Sequence, residues 1–164
     1  MERTQELLGQ IQATGRLRVW HENGDLMVDQ TNKIVTAGLN ALVNALINAA
    51  YVNTFKYVAF GTATTATTAG MTALAAELSG GTYARLTGTQ GQGATAQVYR
   101  VSGTWTNNSS TDPAAVTEYG LLSASSTGTL LARVTTGDAS PPATKTVAVG
   151  ETITVQWDVT LAAT

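Results

Sequence analysis

Cysteine is absent from the 164 residues, so no disulfide framework holds this fold, and the absence leaves the redox compartment open. Charge is scarce as well. Asp, Glu, Lys and Arg make up 12% of the chain, about half the ~25% usual in soluble domains. The basic residues are scattered from Arg3 to Lys145, and the net charge is −2. No stripe of Lys and Arg interleaved with aromatics forms, which argues against nucleic-acid binding. The longest apolar segment is amphipathic and too short to span a membrane. Residues 1–14 carry Glu2 and Glu6 and lack a long apolar core, so they do not read as a secretory signal, and synthesis is expected in the cytosol. So few charges leave weak self-repulsion, which suits a subunit packed against neighbours. Short threonine-lined strands account for the same composition equally well.

The clearest pattern present runs from Thr152 to Leu161. Ile153, Val155, Trp157, Val159 and Leu161 alternate with Thr152, Thr154, Gln156, Asp158 and Thr160. Successive side chains of a strand point to opposite faces, so this is a strand with one dry and one wet face. A strand of a parallel sheet would read as a continuous apolar run, so the sheet is expected to be antiparallel, with this strand as its central rib.

Other elements follow in order. Residues 15–30 read as a hairpin, with Leu17 and Val19 on one face of its first strand and Leu26 and Val28 facing inward on the second. Asn23-Gly24 fits a type I′ turn between them. The one strong helix is expected over about residues 36–48, capped by Thr36, with Leu39, Leu42, Val43, Leu46 and Ile47 as an apolar stripe. Asn40, Asn44 and Asn48 recur every fourth residue on another face. They read either as solvated positions or as amides that bond a neighbouring chain. Further strands are expected at 55–60, 83–87, 94–106, 116–123, 129–135 and 144–149. Between them lie a Thr/Ala-rich surface loop at 62–70, a helical turn at 71–78 and a flexible turn marked by Gly88, Gly91 and Gly93. The fold class is mainly β: an antiparallel β-sandwich or small barrel (15–164) with one amphipathic helix and an N-terminal arm (1–14). In the arm, Leu7, Leu8 and Ile11 have helical spacing broken by Gly9; so short a segment needs a surface to lie on, its own domain or a neighbour's.

Chemistry is thin. The single histidine, His21, has Glu22 and Asp25 nearby, but no nucleophile elbow accompanies it and no second histidine follows four residues after Glu22's predecessor. It reads as structural or exposed. The glycines are not spaced as a phosphate cradle. Asp25 and Asp29 are a carboxylate pair within the hairpin, too sparse for a convincing metal site. Glu118 with Asp158 is a conceivable glycosidase pair, yet Glu118 more readily pairs with Arg133 or Arg100 on an adjacent strand. Trp20, Trp105 and Tyr119 are candidate sugar-stacking aromatics or core and interface anchors. No cofactor or metal ligand is proposed, and the chain does not read as an enzyme.

Several segments, in order, resemble a family of small β-sandwich virion proteins of tailed bacteriophages. They are Ala37-Gly38-Leu39-Asn40, Tyr57-Val58-Ala59-Phe60-Gly61-Thr62, Thr72-Ala73-Leu74 with Glu77, Val116-Thr117-Glu118-Tyr119-Gly120-Leu121-Leu122, Gly128-Thr129-Leu130-Leu131-Ala132-Arg133, and Val149-Gly150-Glu151-Thr152-Ile153-Thr154-Val155-Gln156-Trp157. The likeness covers roughly residues 16–163, and its order is more specific than any one piece. Phe60-Gly61 stands where such sequences often have Leu-Gly, a mild departure. The resemblance implies a structural protein of the virion surface, made in the host cytoplasm, and above all a capsid decoration (cement) protein. Its partners would be the major capsid protein and its own copies, as a homo-oligomer for which a trimer is the expectation, with no nucleic acid and no membrane. Leu7, Leu8, Ile11, Asn40, Asn44 and Asn48 are the expected interface residues. The alternative is a tail-fibre or baseplate module that binds a host surface glycan.

Overall fold

The computed structural model of the chain describes residues 11–47, 55–79, 83–109, 115–138 and 146–163. Its elements are β1 (Ile11–His21), β2 (Leu26–Ile34), α1 (Thr36–Ile47), β3 (Tyr57–Gly61), β4 (Leu86–Thr87), β5 (Thr89–Gln92), β6 (Val98–Thr106), β7 (Glu118–Leu122), β8 (Leu130–Thr135) and β9 (Thr152–Ala163). All strand pairs are antiparallel, in the order β4-β3-β7-β8-β2-β1-β9-β6-β5. The two ends of that order, β4 and β5, are separated in the chain by Gly88 alone. One bent segment therefore pairs with β3 on one side and β6 on the other, and nearly closes the sheet into a barrel. The Gly88 amide at this joint donates to Lys56 O at 2.7 Å. Across the barrel β2 changes partner: Leu26 to Asn32 lie along β1, then Lys33 and Ile34 pair with Arg133 and Ala132 of β8.

β9 lies between β1 and β6, as expected of a central rib. Ile153, Val155 and Trp157 are fully buried and Val159 nearly so. Leu17 and Val19 of β1 stand opposite Trp157 and Val155, and Val101 and Trp105 of β6 stand opposite Trp157 and Ile153. Burying each such side chain is worth roughly 1.5–3 kcal/mol, so this row dominates the core. Phe60 joins the two sides of the barrel, with ring centroids 4.9 Å from Trp105 and 5.9 Å from Tyr119.

Several local expectations are corrected. Only Gly24 of the first turn has positive φ (91°), so the turn is not type I′. Gly24 N instead donates to His21 O at 2.9 Å, which makes a type I turn closed by a left-handed glycine. The register shifts between Val19 and Trp20. Leu26 consequently faces outward beside Trp20 and is 50% exposed, while Val28 stays in the core. The glycine-marked stretch after Thr87 is strand β5, not a flexible turn, and β6 begins at Val98 because Thr95 to Gln97 turn first. Residues 71–78 form no helix; they run beside β3, with Leu78 N donating to Phe60 O at 2.8 Å. The strand expected at 83–87 shrinks to Leu86–Thr87. That expected at 144–149 lies partly outside the described residues, and 146–149 is not strand. Ile11 to Thr14 belong to β1, paired with Ala163 to Thr160, so Ile11 is not helical.

Trp157→Ala is expected to cost about 3–5 kcal/mol, and Thr154→Ala on the outer face no more than about 0.5 kcal/mol, both read from urea unfolding. Similar losses at the two positions would mean that the alternation of β9 does not organise the core.

Candidate functional site

Of the expected apolar stripe of α1, Leu39 and Val43 face outward, Leu42 packs against the core, and the side chains of Leu46 and Ile47 lie outside the described residues. α1 lies on β8 through its smallest side chains: Gly38 and Ala41 are buried, and Ala37, Leu42 and Ala45 are half-buried. A Cβ on Gly38 would stand 2.6 Å from both Cα and O of Leu131, so no larger residue fits that contact. Close approach of the helix backbone leaves the larger side chains outside. Leu39 and Val43 are 42% and 55% exposed, and Thr36, Asn40 and Asn44 are exposed with them. These five positions follow the i, i+3, i+4, i+7, i+8 rule and make one continuous outer stripe. The first helical bond runs from Leu39 N to Val35 O, so the cap falls at Val35, one residue before the expected Thr36. The missed signal is the run of small residues at 37, 38, 41 and 45, which marks the inward face by close approach and not by hydrophobicity.

Among the expected interface residues, then, the structure places Asn40 and Asn44 together on the exposed face of α1. Ile11 opens β1 at the far end of the β1–β9 ribbon. Leu7, Leu8 and Asn48 lie outside the described residues, as do the side chains of Ile11, Leu46 and Ile47.

Most ionisable side chains among the described residues are paired with one another. Glu118 and Arg133 are fully buried, with Arg133 Nε 2.6 Å from Glu118 Oε1, the adjacent-strand pairing expected from sequence. Glu118 also accepts the amides of Ala75 and Ala76 at 2.7 and 3.0 Å. Arg133 Nη1 donates to Thr65 O at 3.0 Å and to Thr67 Oγ1 at 3.2 Å. Asp158 lies on the outer face of β9, where Arg100 grips it at 2.7 and 2.9 Å and Arg18 at 2.6 Å. Burial pushes the Asp158 carboxyl upward, but the arginine bonds outweigh it and hold the group below its ordinary value. Arg16 bonds Asp29 and lowers its carboxyl in the same way. Glu118 and Asp158 thus face different arginines on different strands and do not form an acid–base pair.

His21 Nε2 faces Glu151 Oε1, and its Nδ1 accepts the Asn23 amide at 3.1 Å. Asp25 is held by Asn23 and Asp29 by Arg16, and no group of three His, Asp or Glu residues suited to a metal occurs among the described residues. Trp105 and Tyr119 are core residues, not exposed stacking platforms, and burial pushes the Tyr119 phenol up. Trp20 remains half-exposed, with the Arg18 guanidinium 5.7 Å from its ring centre. No protein-family model, curated protein or solved structure matches the chain.

Removing one partner of a buried pair leaves a stranded charge, so Glu118→Ala is expected to cost about 3–5 kcal/mol. Glu118→Met with Arg133→Met should recover much of that loss in urea unfolding; strictly additive losses would contradict a coupled pair. A carboxylate lowered in the folded state adds stability above its unfolded value, about 3.9, and loses it as pH falls through the lower folded value. Asp158→Asn should therefore flatten the acid side of the stability–pH curve. An unchanged acid limb would contradict the assignment.

Proposed function

We propose that this chain is a structural subunit of a tailed-phage virion, a capsid decoration protein that stabilises the head through contacts with the major capsid protein and with its own copies. One observation carries the reading: α1 presents Leu39 and Val43 to solvent beside Asn40 and Asn44, with no charge among them. The centres of protein interfaces are depleted in charge in the same way. An exposed face of this kind contributes nothing to folding of the isolated chain and gains its value on contact. Each contact formed only by the folded chain then stabilises the shell by mass action. The resemblance to small virion proteins and the sparse charge of the whole sequence support the same reading. The glycan-binding alternative is weakened because Trp105 and Tyr119, two of its three stacking candidates, are in the core.

The test is occupancy. The chain should be found in purified particles, and recombinant protein should co-sediment with emptied heads. Leu39→Lys with Val43→Lys should lower occupancy at least about tenfold, a change of about 1.4 kcal/mol, while the unfolding curve stays close to that of the parent chain. Particles devoid of the chain, or full occupancy by the variant, would refute the proposal.

A further inference from the structure

The outer face of α1 selects among partners by its chemistry. Between Thr36 and Ile47 there is no charged side chain, so an acidic or basic surface finds nothing to pair with there. A purely apolar groove suits Leu39 and Val43 but strands the two amides between them. A second copy of the same face satisfies every group, because an amide both donates and accepts and is therefore its own complement. A twofold contact sets one patch against itself, so any charge in it would meet its like; this stripe has none to meet.

We infer that α1 is a twofold contact between two copies of this chain, with the helices antiparallel. Asn40 of one copy bonds Asn44 of the other, twice over, and Leu39 packs against Val43 along the seam. The inference rests on the reading of the chain as an adhesive subunit and names one of its partners. Scale sets the strength of the contact. A helix of 12 residues is about 18 Å long. Two such faces bury less than the ~1,200 Å² at the low end of stable interfaces. The pair is weak between free copies and tightens when neighbours are held side by side on a shell, through the raised effective concentration.

Sedimentation equilibrium of the full chain, up to about 1 mM, reads this directly, since contacts of this size fall at the weak end of affinities. A dimer should grow with concentration, and Val43→Lys should lower its association constant at least about tenfold. Leu26→Lys, at a residue equally exposed on the hairpin (50%), should leave association unchanged. The chain lacks cysteine, so Asn40→Cys and Asn44→Cys proteins mixed under mild oxidation report geometry without interference. Disulfides between position 40 and position 44 should exceed those joining like positions. A monomer throughout, a Val43→Lys dimer as strong as the parent's, or a predominance of like-position disulfides would overturn the inference. A chain that occupies particles yet stays monomeric defeats this inference alone; a dimer that never joins a particle upholds it and defeats the decoration reading.

Discussion

The buried ion pair of Glu118 and Arg133 fastens the long Thr/Ala-rich connection to the barrel. That connection, from Thr62 to Leu78, sets only Leu74, Met71 and Leu78 against the core, and its Thr-rich half adds no large apolar side chain. It is held instead by its backbone: the Ala75 and Ala76 amides end on Glu118, and the Thr65 carbonyl receives Arg133. Asp138, just past β8, ties the Thr67 amide and hydroxyl to the same region. Two charges out of water are costly unless their remaining bonding positions are filled. Here the loop backbone fills several of them, so pair and loop require each other. The pair joins β7 to β8, the strand on which α1 lies.

α1 lies on that platform in an unusual sense. A helix on the surface of a globular domain normally turns its large apolar residues inward. Here the helix approaches Leu131 so closely that no side chain fits at Gly38, and of its larger residues Leu42 packs against the core. Leu39 and Val43 are displaced to the outside by geometry alone. The result is a neutral strip on a barrel whose charged groups, among the described residues, are largely paired with one another.

Much of the barrel was legible in the sequence because period-two alternation reports burial directly. The pattern at Ile153, Val155, Trp157 and Val159 named the central rib and its inner face, and Leu17 with Val19 named the strand beside it. Strand adjacency offered Arg133 and Arg100 as partners of Glu118, and Arg133 is the one it meets. What escaped was set by backbone geometry. The bulge that turns Leu26 outward follows from a one-residue register shift, and the bend at Gly88 from the need to pair with β3 and β6 in turn. The face of α1 was misread because hydrophobicity was weighed and size was not. Gly38, Ala41 and Ala45 have little side chain to bury, yet close contact between helix and sheet demands residues of that kind. Of the expected interface, Asn40 and Asn44 fell on the exposed strip, while Ile11 proved to be strand.

The central claim is that the outer face of α1 works by contact with a neighbouring molecule. A density map of the intact particle at side-chain resolution tests it most directly. The account expects Leu39, Asn40, Val43 and Asn44 to be covered by a neighbour's side chains. The same four residues facing open solvent in every copy on the particle would contradict it.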